Sequence, residues 1–465
     1  MWVEIGLKHI NDMNLKTDHM KRFLIVLAAV GFALSATAGE KTAREKIKDD
    51  PSYALGVYRL YPTEFNEQTP VPKGYKPFYI SHYGRHGSRY VLRDEKFDRA
   101  YNVFVEADKQ GKLTAFGKDI YDRMTRSKRD TYGRGGELSL KGQEQHRQIA
   151  ARMYDNYKKV FKKAEYIDAK ATIVPRVLVS MTAFCDELMR HNNKLDIHYE
   201  CGKPFQKWLN PYYKDNDPRL ADYIDLFRHN TNCEWIEQWR EYREKNVDIS
   251  RILNSLFAPD YVESLKDPHD FIFHLFKTAT SFPGTPTEES ILEVFNNEEL
   301  YQQWRLVNII FYHEKGPSGI EDKFLNGVST PLLEKIIEDA EQKVAAGKEA
   351  VTLRFGHDGN IMGLLNTMRI PGWCEEVDNY EDVEKYWHDY DIPMGCNVQF
   401  IFYRNKGGDV LVKLLLNEEE IALPKQIDGS MAPYYRWEDV NKFYRDLIPQ
   451  MYEIGGYNRL DKLLE

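Results

Sequence analysis

Strand-like and helix-like segments alternate at both ends of this chain, and a long block without strand signals separates them. Residues 77–82, 171–174 and 350–355 are short apolar or aromatic runs that predict strands. Residues 140–163 place apolar side chains at every fourth position, which predicts an amphipathic helix. Pro175, which suits the first turn of a helix, predicts the start of another. Such alternation is typical of a sheet covered by helices.

The separating block, residues 191–345, is rich in Trp, Tyr and charged residues, with Pro and Asn between short helical stretches. Residues 397–416 contain two β-rich runs around an Asn-Lys-Gly-Gly turn, which is a hairpin signal. The expected fold is α/β, a mixed central sheet flanked by helices, with an inserted, mostly helical cap domain. We assign residues 39–190 and 346–465 to the core and the separating block to the cap. Residues 39–75 are polar and irregular, and we expect them to follow the surface.

The N-terminus has the pattern of a secretion signal. Two basic residues precede an apolar run at 23–34, and Ala36-Thr37-Ala38 forms an A-x-A cleavage site. The apolar run is too short to span a bilayer comfortably. We therefore expect residues 1–38 to be a signal peptide, with translation starting at Met20. The mature protein would be exported, periplasmic or secreted, without a stable membrane anchor.

Composition narrows the function classes. The chain has 465 residues, of which 42% are hydrophobic and 13% aromatic, and this excludes a disordered protein. A formal net charge of −8 makes nucleic-acid binding a poor hypothesis, so an anionic small-molecule substrate would need a local basic pocket. The five cysteines show no zinc spacing and are too sparse for a disulfide framework, so we expect at most one or two bridges. No oligomeric state is predicted.

The stretch Arg85-His86-Gly87-Ser88-Arg89 follows the first predicted strand, where α/β proteins place ligands. Each arginine offers a planar set of donors that matches a phosphate or a carboxylate. Neutral His86 has one ring nitrogen free to attack if the other donates its proton, for example to a backbone carbonyl. A nucleophile between two guanidinium groups suits phosphoryl transfer, whose transition state spreads negative charge over oxygens. The alternative is a loop histidine between two surface ion pairs.

Four stretches, in order, resemble the histidine acid phosphatases, a family that includes phytases, glucose-1-phosphatases and multiple inositol polyphosphate phosphatases. Residues 85–89 resemble the family's RHGxR. GELSLKGQEQ, residues 136–145, is similar to GxLTxxGxxQ, with Ser139 in the Thr place. TIVPRVLVSMTAF, residues 172–184, is similar to T-x-x-x-R-x-x-x-S-x-x-x-F. FGHDGN, residues 355–360, resembles GHDxN at the end of a late strand.

The resemblance implies hydrolysis of phosphomonoesters in two steps, with neither a metal nor another cofactor. His86 would attack phosphorus and form a phosphohistidine, Asp358 would protonate the leaving oxygen, and water would then release phosphate. The residues that would hold the phosphoryl oxygens are Arg85, Arg89, Arg176 and His357.

The sequence positions of Arg176 and Asp358 also suit the roles that the resemblance implies. Arg176 falls in the first turn of a helix, where anions are favoured, although an exposed helix arginine is the alternative. Asp358 would donate a proton if its environment raised its pKa, and it would also suit a cap for the helix that starts near Gly359. A metal site at His357 and Asp358 is the weaker interpretation, because no third ligand stands at a motif spacing.

The chain departs from the family pattern in two places. Val91 stands where the family usually has proline, and here we expect a changed loop path rather than lost chemistry. His357-Asp358-Gly359 stands where the animal inositol polyphosphate phosphatases have His-Ala-Glu. The implied proton donor is therefore of the phytase and acid phosphatase type.

A run of cations in residues 122–137 lies between two of these stretches. It predicts a basic rim for a polyanion such as an inositol polyphosphate, with a solvated loop as the equal alternative. The proposed rim residues are Arg126, Lys128, Arg129 and Arg134.

The leading hypothesis is an exported phosphatase that acts on inositol polyphosphates such as phytate. A glucose-1-phosphatase-like or broad-specificity acid phosphatase is the first alternative, favoured by a less basic pocket around this loop. The other is a non-catalytic phosphate-ester-binding protein, which would lack the nucleophile or the acid.

Overall fold

A computed structural model describes residues 41–216, 234–318 and 323–456 of the chain. Its contacts divide the chain into two compact units, Met1–Lys46 and Ile47–Glu465. The predicted signal peptide, with its cleavage site, lies outside the described residues. The sheet, the cavity and the site described below all belong to the second unit.

The centre of the second unit is a mixed sheet. Its strands are β1 Lys76–Arg85, β2 Ile167–Ala171, β3 Ile197–Cys201, β4 Ala350–Gly356, β5 Asn397–Arg404, β6 Val410–Leu416, β7 Glu419–Glu420 and β8 Tyr435–Arg436. They lie in the order β3-β2-β4-β1-β5-β6-β7, with β8 beside β6. The first four strands in this order are parallel, whereas β5 and β6 pair antiparallel as the predicted hairpin. The fold class predicted from the sequence is confirmed.

Helices account for much of the remaining described chain. They are α1 Ala43–Asp49, α2 Asp94–Lys109, α3 Ala115–Thr131, α4 Leu140–Lys163, α5 Pro175–His191, α6 Gln206–Leu209, α7 Glu234–Asn246, α8 Ser250–Leu256, α9 Pro259–Ser264, α10 Pro268–Ser281, α11 Asn297–Lys315, α12 Thr330–Ala346, α13 Asp358–Thr367, α14 Tyr380–Val383 and α15 Trp437–Gly455. The helices predicted from the period of residues 140–163 and from Pro175 are α4 and α5.

Side chains alternate between the two faces of the sheet along each strand, so each face has its own apolar side chains. Helices cover both faces and bury these side chains. On one face, apolar residues of β1, β2, β4 and β5 form a core with α4 and α5. On the other face, Tyr79 packs against Phe402, whose ring in turn contacts Trp437 at the start of α15. Strands β1 and β4 are buried on both faces, and their apolar and aromatic side chains are the signal by which residues 77–82 and 350–355 were predicted as strands.

The helical layer beside the sheet is built from two separate segments of sequence. Helices α8 and α10 come from the predicted cap, residues 191–345, whereas α2 and α3 precede α4 in the chain. Helix α2 packs against α10, and α3 packs against α8. The domain boundaries drawn from the sequence stay a prediction.

Three segments differ from the sequence-based assignment. The strand predicted at 171–174 overlaps β2 only at Ala171, because pairing with β4 stops there and the chain turns into α5. Strand β3 lies inside the predicted cap, and four of its five residues are exposed, so it shows no apolar signal. Residues 54–57, which belong to the 3-10 segment Pro51–Tyr58, are buried and do not follow the surface as expected. This short run, Ala-Leu-Gly-Val, packs beneath the site described below.

Two further observations bear on the expected disulfide bridges and on the expected lack of a membrane anchor. Four of the cysteines are free thiols, namely Cys185, Cys201, Cys374 and Cys396, and Cys233 lies outside the described residues. In the described ranges, no helix combines the length and the apolar character needed to cross a bilayer.

Candidate active site

Strands β1 and β4 end side by side and bring two histidines together. Arg85, the last residue of β1, is in register with Gly356, the last residue of β4. The backbone N–H of His86 donates to the Gly356 carbonyl at 3.0 Å. The ring centroids of His86 and His357 then lie 5.7 Å apart. Because parallel strands bring their carboxyl ends to one edge, two stretches far apart in sequence form one site.

His86 is held as a neutral imidazole with one nitrogen free. Its Nδ1 donates to the carbonyl oxygen of Gly87 at 2.9 Å, since a carbonyl only accepts. The lone pair therefore resides on Nε2. Burial, followed by the charges of Arg176, Arg85 and Arg89, lowers the pKa of His86 well below its usual value. This is the protonation state that a nitrogen nucleophile needs.

Arg85 is fully buried beneath the site and is held from three sides. Its Nη1 donates to the carbonyl oxygens of Val57 at 2.6 Å and Ile392 at 2.8 Å. Its Nη2 lies 2.8 Å from Oδ2 of Asp358. The alternative of a surface ion pair therefore does not hold for Arg85. Such a guanidinium presents its donors in fixed directions, which favours recognition of a planar or tetrahedral anion.

Asp358 is the first residue of α13, and its carboxylate is ionised in the ligand-free site. Oδ1 accepts the Gly359 backbone N–H at 2.8 Å, while Oδ2 faces Arg85. Burial raises the pKa of Asp358, but Arg85, Arg89 and His357 outweigh burial and bring the pKa below its usual range. The condition that the sequence analysis set for proton donation, a raised pKa, is therefore not met in this ligand-free state. A phosphate dianion that competes for the same guanidinium would raise the pKa of Asp358.

Arg89 and Tyr58 form one side of the site. The Arg89 guanidinium lies over the Tyr58 ring, 5.1 Å from its centroid, and Nη1 donates to the Tyr90 carbonyl at 2.9 Å. Burial raises the pKa of Tyr58, but the positive charges of Arg89, Lys277 and Lys96 lower the pKa overall. A phenol whose pKa falls despite burial indicates a strongly positive potential at this point.

Arg176 and His357 contact each other beside His86. Nη2 of Arg176 lies 3.5 Å from Nδ1 of His357, and because a guanidinium only donates, Nδ1 is the acceptor. Nε2 of His357 then carries the proton and donates to Oγ1 of Thr172 at 3.3 Å. Burial lowers the pKa of His357 to about 3, and burial followed by Arg89 lowers the pKa of Arg176 to about 10. Arg176 is thus a member of the site and not a solvent-facing helix residue.

The stretch at residues 136–145 supports the loop that follows His86. The Ser88 backbone N–H donates to Oε1 of Gln145 at 2.8 Å, and the Ser88 carbonyl accepts from Oγ of Ser139 at 3.0 Å. A Cβ added at Gly142 would lie 2.2 Å from the Ser88 carbonyl oxygen, so only glycine permits this approach. This motif therefore fixes the backbone of the site.

The stretch at residues 172–184 places every fourth side chain on the side of α5 that faces the site. Thr172 accepts from His357, and Arg176 lies beside the same ring. One turn later, Oγ of Ser180 accepts the Gly87 backbone N–H at 3.2 Å. Phe184 packs on Phe355 of β4, with ring centroids 5.4 Å apart. The helical period thus explains the spacing of this motif.

A cavity of about 690 Å³ opens in front of His86. Arg89, Arg176, Lys96 and Lys277 line it, and none of these four has a carboxylate within ion-pair distance in the part of the chain that the structure describes. Its far wall is aromatic, with Trp239, Phe273 and Phe276. The cavity is therefore a local basic pocket in a chain of net negative charge.

The cations of residues 122–137 do not line this cavity. They lie on α3 and the turn after it, and the predicted rim is paired on the surface. The pairs are Arg126 with Glu289, Lys128 with Asp98, Arg129 with Asp130, and Arg134 with Glu137. The sequence shows how many cations the run contains, but the packing of α3 decides which way they point.

Sequence reasoning missed four residues that lie at or beneath the cavity, namely Tyr58, Lys96, Lys277 and Asp389. The two lysines stand on α2 and α10 among many other charged helix residues. Tyr58 follows the only apolar run in a polar segment, which was the one available signal. Nothing in the local sequence distinguishes Asp389 from its acidic neighbours.

Comparison with known proteins agrees with this geometry. A family model described as histidine phosphatase superfamily (branch 2) matches residues 84–417, which include both strand ends of the site. The chain belongs to this superfamily. Among curated proteins, none matches this chain.

Two solved structures share the fold of this histidine phosphatase. The multiple inositol polyphosphate phosphatase of Bifidobacterium longum, in complex with inositol hexasulfate, has a TM-score of 0.69 and 16% identity, over 83% of this chain and 96% of that one. The phytase from D. castellii has a TM-score of 0.63 and 15% identity, over 87% of each chain. At such identities the likeness concerns the fold alone.

One departure of this histidine phosphatase from the family pattern has a visible place. Val91, which replaces the usual proline, is buried and lines the cavity. Its carbonyl accepts the backbone N–H of Gly136 at 2.8 Å. The loop after Arg89 is thereby tied to the motif at residues 136–145.

Proposed function

We propose that this histidine phosphatase hydrolyses phosphomonoesters through a phosphohistidine on Nε2 of His86. The observation that carries the proposal is the state of His86, which is a buried neutral imidazole. Its Nδ1 bonds to the Gly87 carbonyl, and the charges of Arg85, Arg89 and Arg176 act on the ring. Three guanidinium groups around one free nitrogen suit an anionic electrophile such as a phosphoryl group.

In the first step, Nε2 of His86 forms a bond to phosphorus and the bond from phosphorus to the ester oxygen breaks. Arg85, Arg89, Arg176 and His357 hold the phosphoryl oxygens. The leaving oxygen takes a proton from Asp358, which receives it from the monoanionic ester as the charge of the bound phosphoryl group offsets that of Arg85. In the second step, Asp358 accepts a proton from water, whose oxygen attacks phosphorus and releases His86.

We propose that the substrates are inositol polyphosphates, and phytate is the probe used for them below. Their several phosphates need cations beyond those at the reacting phosphorus. Lys96 and Lys277 supply such charges in the same cavity, and burial, followed by the charge of Lys277, lowers the pKa of Lys96. Two ammonium groups in one cavity favour a polyanion that binds both of them.

A phosphatase of glucose 1-phosphate or of a broad range of esters is the second candidate. It is favoured by the surface pairing of the cations at residues 122–137, which makes the pocket less basic than the sequence predicts. The aromatic far wall would accept a ligand with one phosphate and a less polar remainder. A non-catalytic binding protein is disfavoured because both His86 and Asp358 are present at one site.

Phosphate release from phytate and from glucose 1-phosphate, each in excess chelator, tests the proposal. Replacing both Lys96 and Lys277 by alanine should raise KM for phytate by about a hundredfold or more, since each of the two lost charged contacts costs about 1.5–3 kcal/mol. The same variant should leave KM for glucose 1-phosphate within about twofold.

The matched control replaces Arg126 and Arg129, two cations that lie outside the cavity, by alanine. It should change neither KM. A large rise in KM for phytate in this control, with none in the lysine variant, would place the polyanion at the predicted rim instead. Equal release from both esters by all variants would favour broad specificity.

The direction in which kcat/KM changes with pH should depend on the protonation state of His86 and on the group that supplies the proton for the leaving oxygen. Because its lowered pKa keeps His86 neutral well below pH 6.5, the nucleophile is present in acid. Asp358 is ionised in the free site, so the proton enters with the monoanionic ester, which predominates below about pH 6. We expect kcat/KM to be maintained between pH 4 and pH 5 and to fall towards pH 8. Loss of activity below a midpoint near 6.5 would contradict the first part.

Export is also proposed, on the pattern of residues 20–38 alone. The mature chain would then begin after Ala38. Fractionation of expressing cells, followed by N-terminal sequencing of the enzyme, would test it, and an N-terminus upstream of Ala38 would contradict it.

A further inference from the structure

A buried carboxyl group, that of Asp389, lies behind Arg85 and outside the proposed chemistry. Asp389 is 0% exposed. Oδ1 accepts from Nε1 of Trp304 on α11 at 2.7 Å, and Oδ2 accepts the Val57 backbone N–H at 3.2 Å. Its own N–H donates to Oδ1 of Asn308 at 2.9 Å. The side chain of Asp389 thus connects the segment Pro51–Tyr58 to helix α11.

The close approach of this segment to Asp389 depends on a glycine. Gly56 has a φ of +54°, in the left-handed region, and a Cβ added there would lie 2.2 Å from Oδ2 of Asp389. Any other residue would therefore be strained and would push the carboxylate away. The backbone at Gly56 and the side chain of Asp389 are consequently fitted to each other.

The segment that Asp389 holds is also the segment that holds Arg85. The Val57 carbonyl accepts from Nη1 of Arg85, and so does the carbonyl of Ile392, whose backbone N–H bonds to the Asp389 carbonyl at 3.1 Å. Both acceptors of this nitrogen are thus fixed by Asp389, one through its side chain and one through its backbone. The next residue after Val57, Tyr58, lies under Arg89.

We propose that Asp389 is a positioning residue, which sets the direction of the Arg85 guanidinium through Val57. The inference rests on the proposed function, because it is the phosphoryl group that Arg85 must meet. Burial raises the pKa of Asp389 to about 7, against the lowering effect of the N–H donors of Trp304 and Val57, so the variants are compared above that pH, where both oxygens accept.

Replacement of Asp389 by asparagine tests this role with little change in shape. An amide has one acceptor and one donor group, so one of the two N–H donors would face another donor. We expect the dissociation constant for inorganic phosphate, measured by calorimetry, to rise about tenfold, which corresponds to about 1.4 kcal/mol. The value of kcat/KM should fall by a similar factor.

A double-mutant cycle with Arg85→Lys separates positioning from general support of the fold. Lysine has a single ammonium group and loses the fork that bonds both carbonyls and Asp358. If Asp389 acts through Arg85, Asp389→Asn should weaken phosphate binding by less than about twofold in the Arg85→Lys background. An equal fold-change in both backgrounds would overturn the inference.

The matched control is Glu418→Gln, which alters another buried carboxyl group, one that accepts from Tyr61 and Arg152 away from the cavity. It should lower the melting temperature without changing phosphate affinity. If Asp389→Asn does not fold, Trp304→Phe removes one donor to the same carboxylate and should also weaken phosphate binding. Unchanged affinity in the folded variants would overturn the inference alone, whereas a wild-type chain that binds no phosphate would overturn the proposed function as well.

Discussion

Replacing His86 by alanine should stop phosphate release from every ester that the enzyme accepts. Among the described residues, no second imidazole nitrogen is free beside the guanidinium groups of the site, since Nδ1 of His357 accepts from Arg176 and its Nε2 faces Thr172. The loss in kcat should therefore be at least about 10⁴-fold, as expected when a covalent nucleophile is removed. Steady-state release of phosphate from phytate measures it directly.

The intermediate itself gives a second measurement of the same prediction. Rapid quenching of the wild-type enzyme with a radiolabelled ester should leave an acid-labile label on the protein, because a phosphorus–nitrogen bond hydrolyses in acid. His86→Ala should carry no label, whereas His198→Ala, which alters a histidine exposed on β3, should behave as wild type. Release that persists in His86→Ala would refute the histidine mechanism.

Replacing Asp358 by asparagine should have the second largest effect, and its size should depend on the leaving group. An alkoxide needs a proton as the ester bond breaks, whereas p-nitrophenolate leaves without one. We expect the rate of His86 phosphorylation, measured by rapid quenching, to fall by about 10²–10⁴-fold for phytate or glucose 1-phosphate and far less for p-nitrophenyl phosphate, whereas the second step, in which Asp358 activates water, slows equally for every ester. Asparagine keeps the size of the side chain and one oxygen, so the Arg85 guanidinium is not left beside a void.

The comparison between the two ester types contains its own control. Both esters use the same His86 and the same guanidinium groups, so damage to phosphate binding would lower both rates together. An equal loss on both would mean that Asp358 acts through Arg85, which it contacts at 2.8 Å, rather than as the proton donor. A loss restricted to alcohol esters would assign the proton to Asp358.

Much of the fold and the centre of the site were predictable because their signals are local. Apolar runs mark the strands that are buried on both faces, and the helical period marks α4 and α5. The site residues stand directly after two strand ends, and parallel strands in one sheet must bring those ends together. The spacing of Arg176, Ser180 and Phe184 follows from one face of a helix.

The sequence by itself therefore determined the fold class, through the alternation of strand and helix signals, and the cluster Arg85, His86 and Arg89, which one short stretch contains. The other site residues joined this cluster only through the resemblance to a known family. Only the tertiary structure decided the protonation state of Asp358, since the pKa depends on a guanidinium 2.8 Å away that the sequence does not position. It also decided that the cations at residues 122–137 pair on the surface while Lys96 and Lys277 line the cavity. Charge is a property of a residue, but direction and distance depend on how helices pack, and helix packing is set by the whole core.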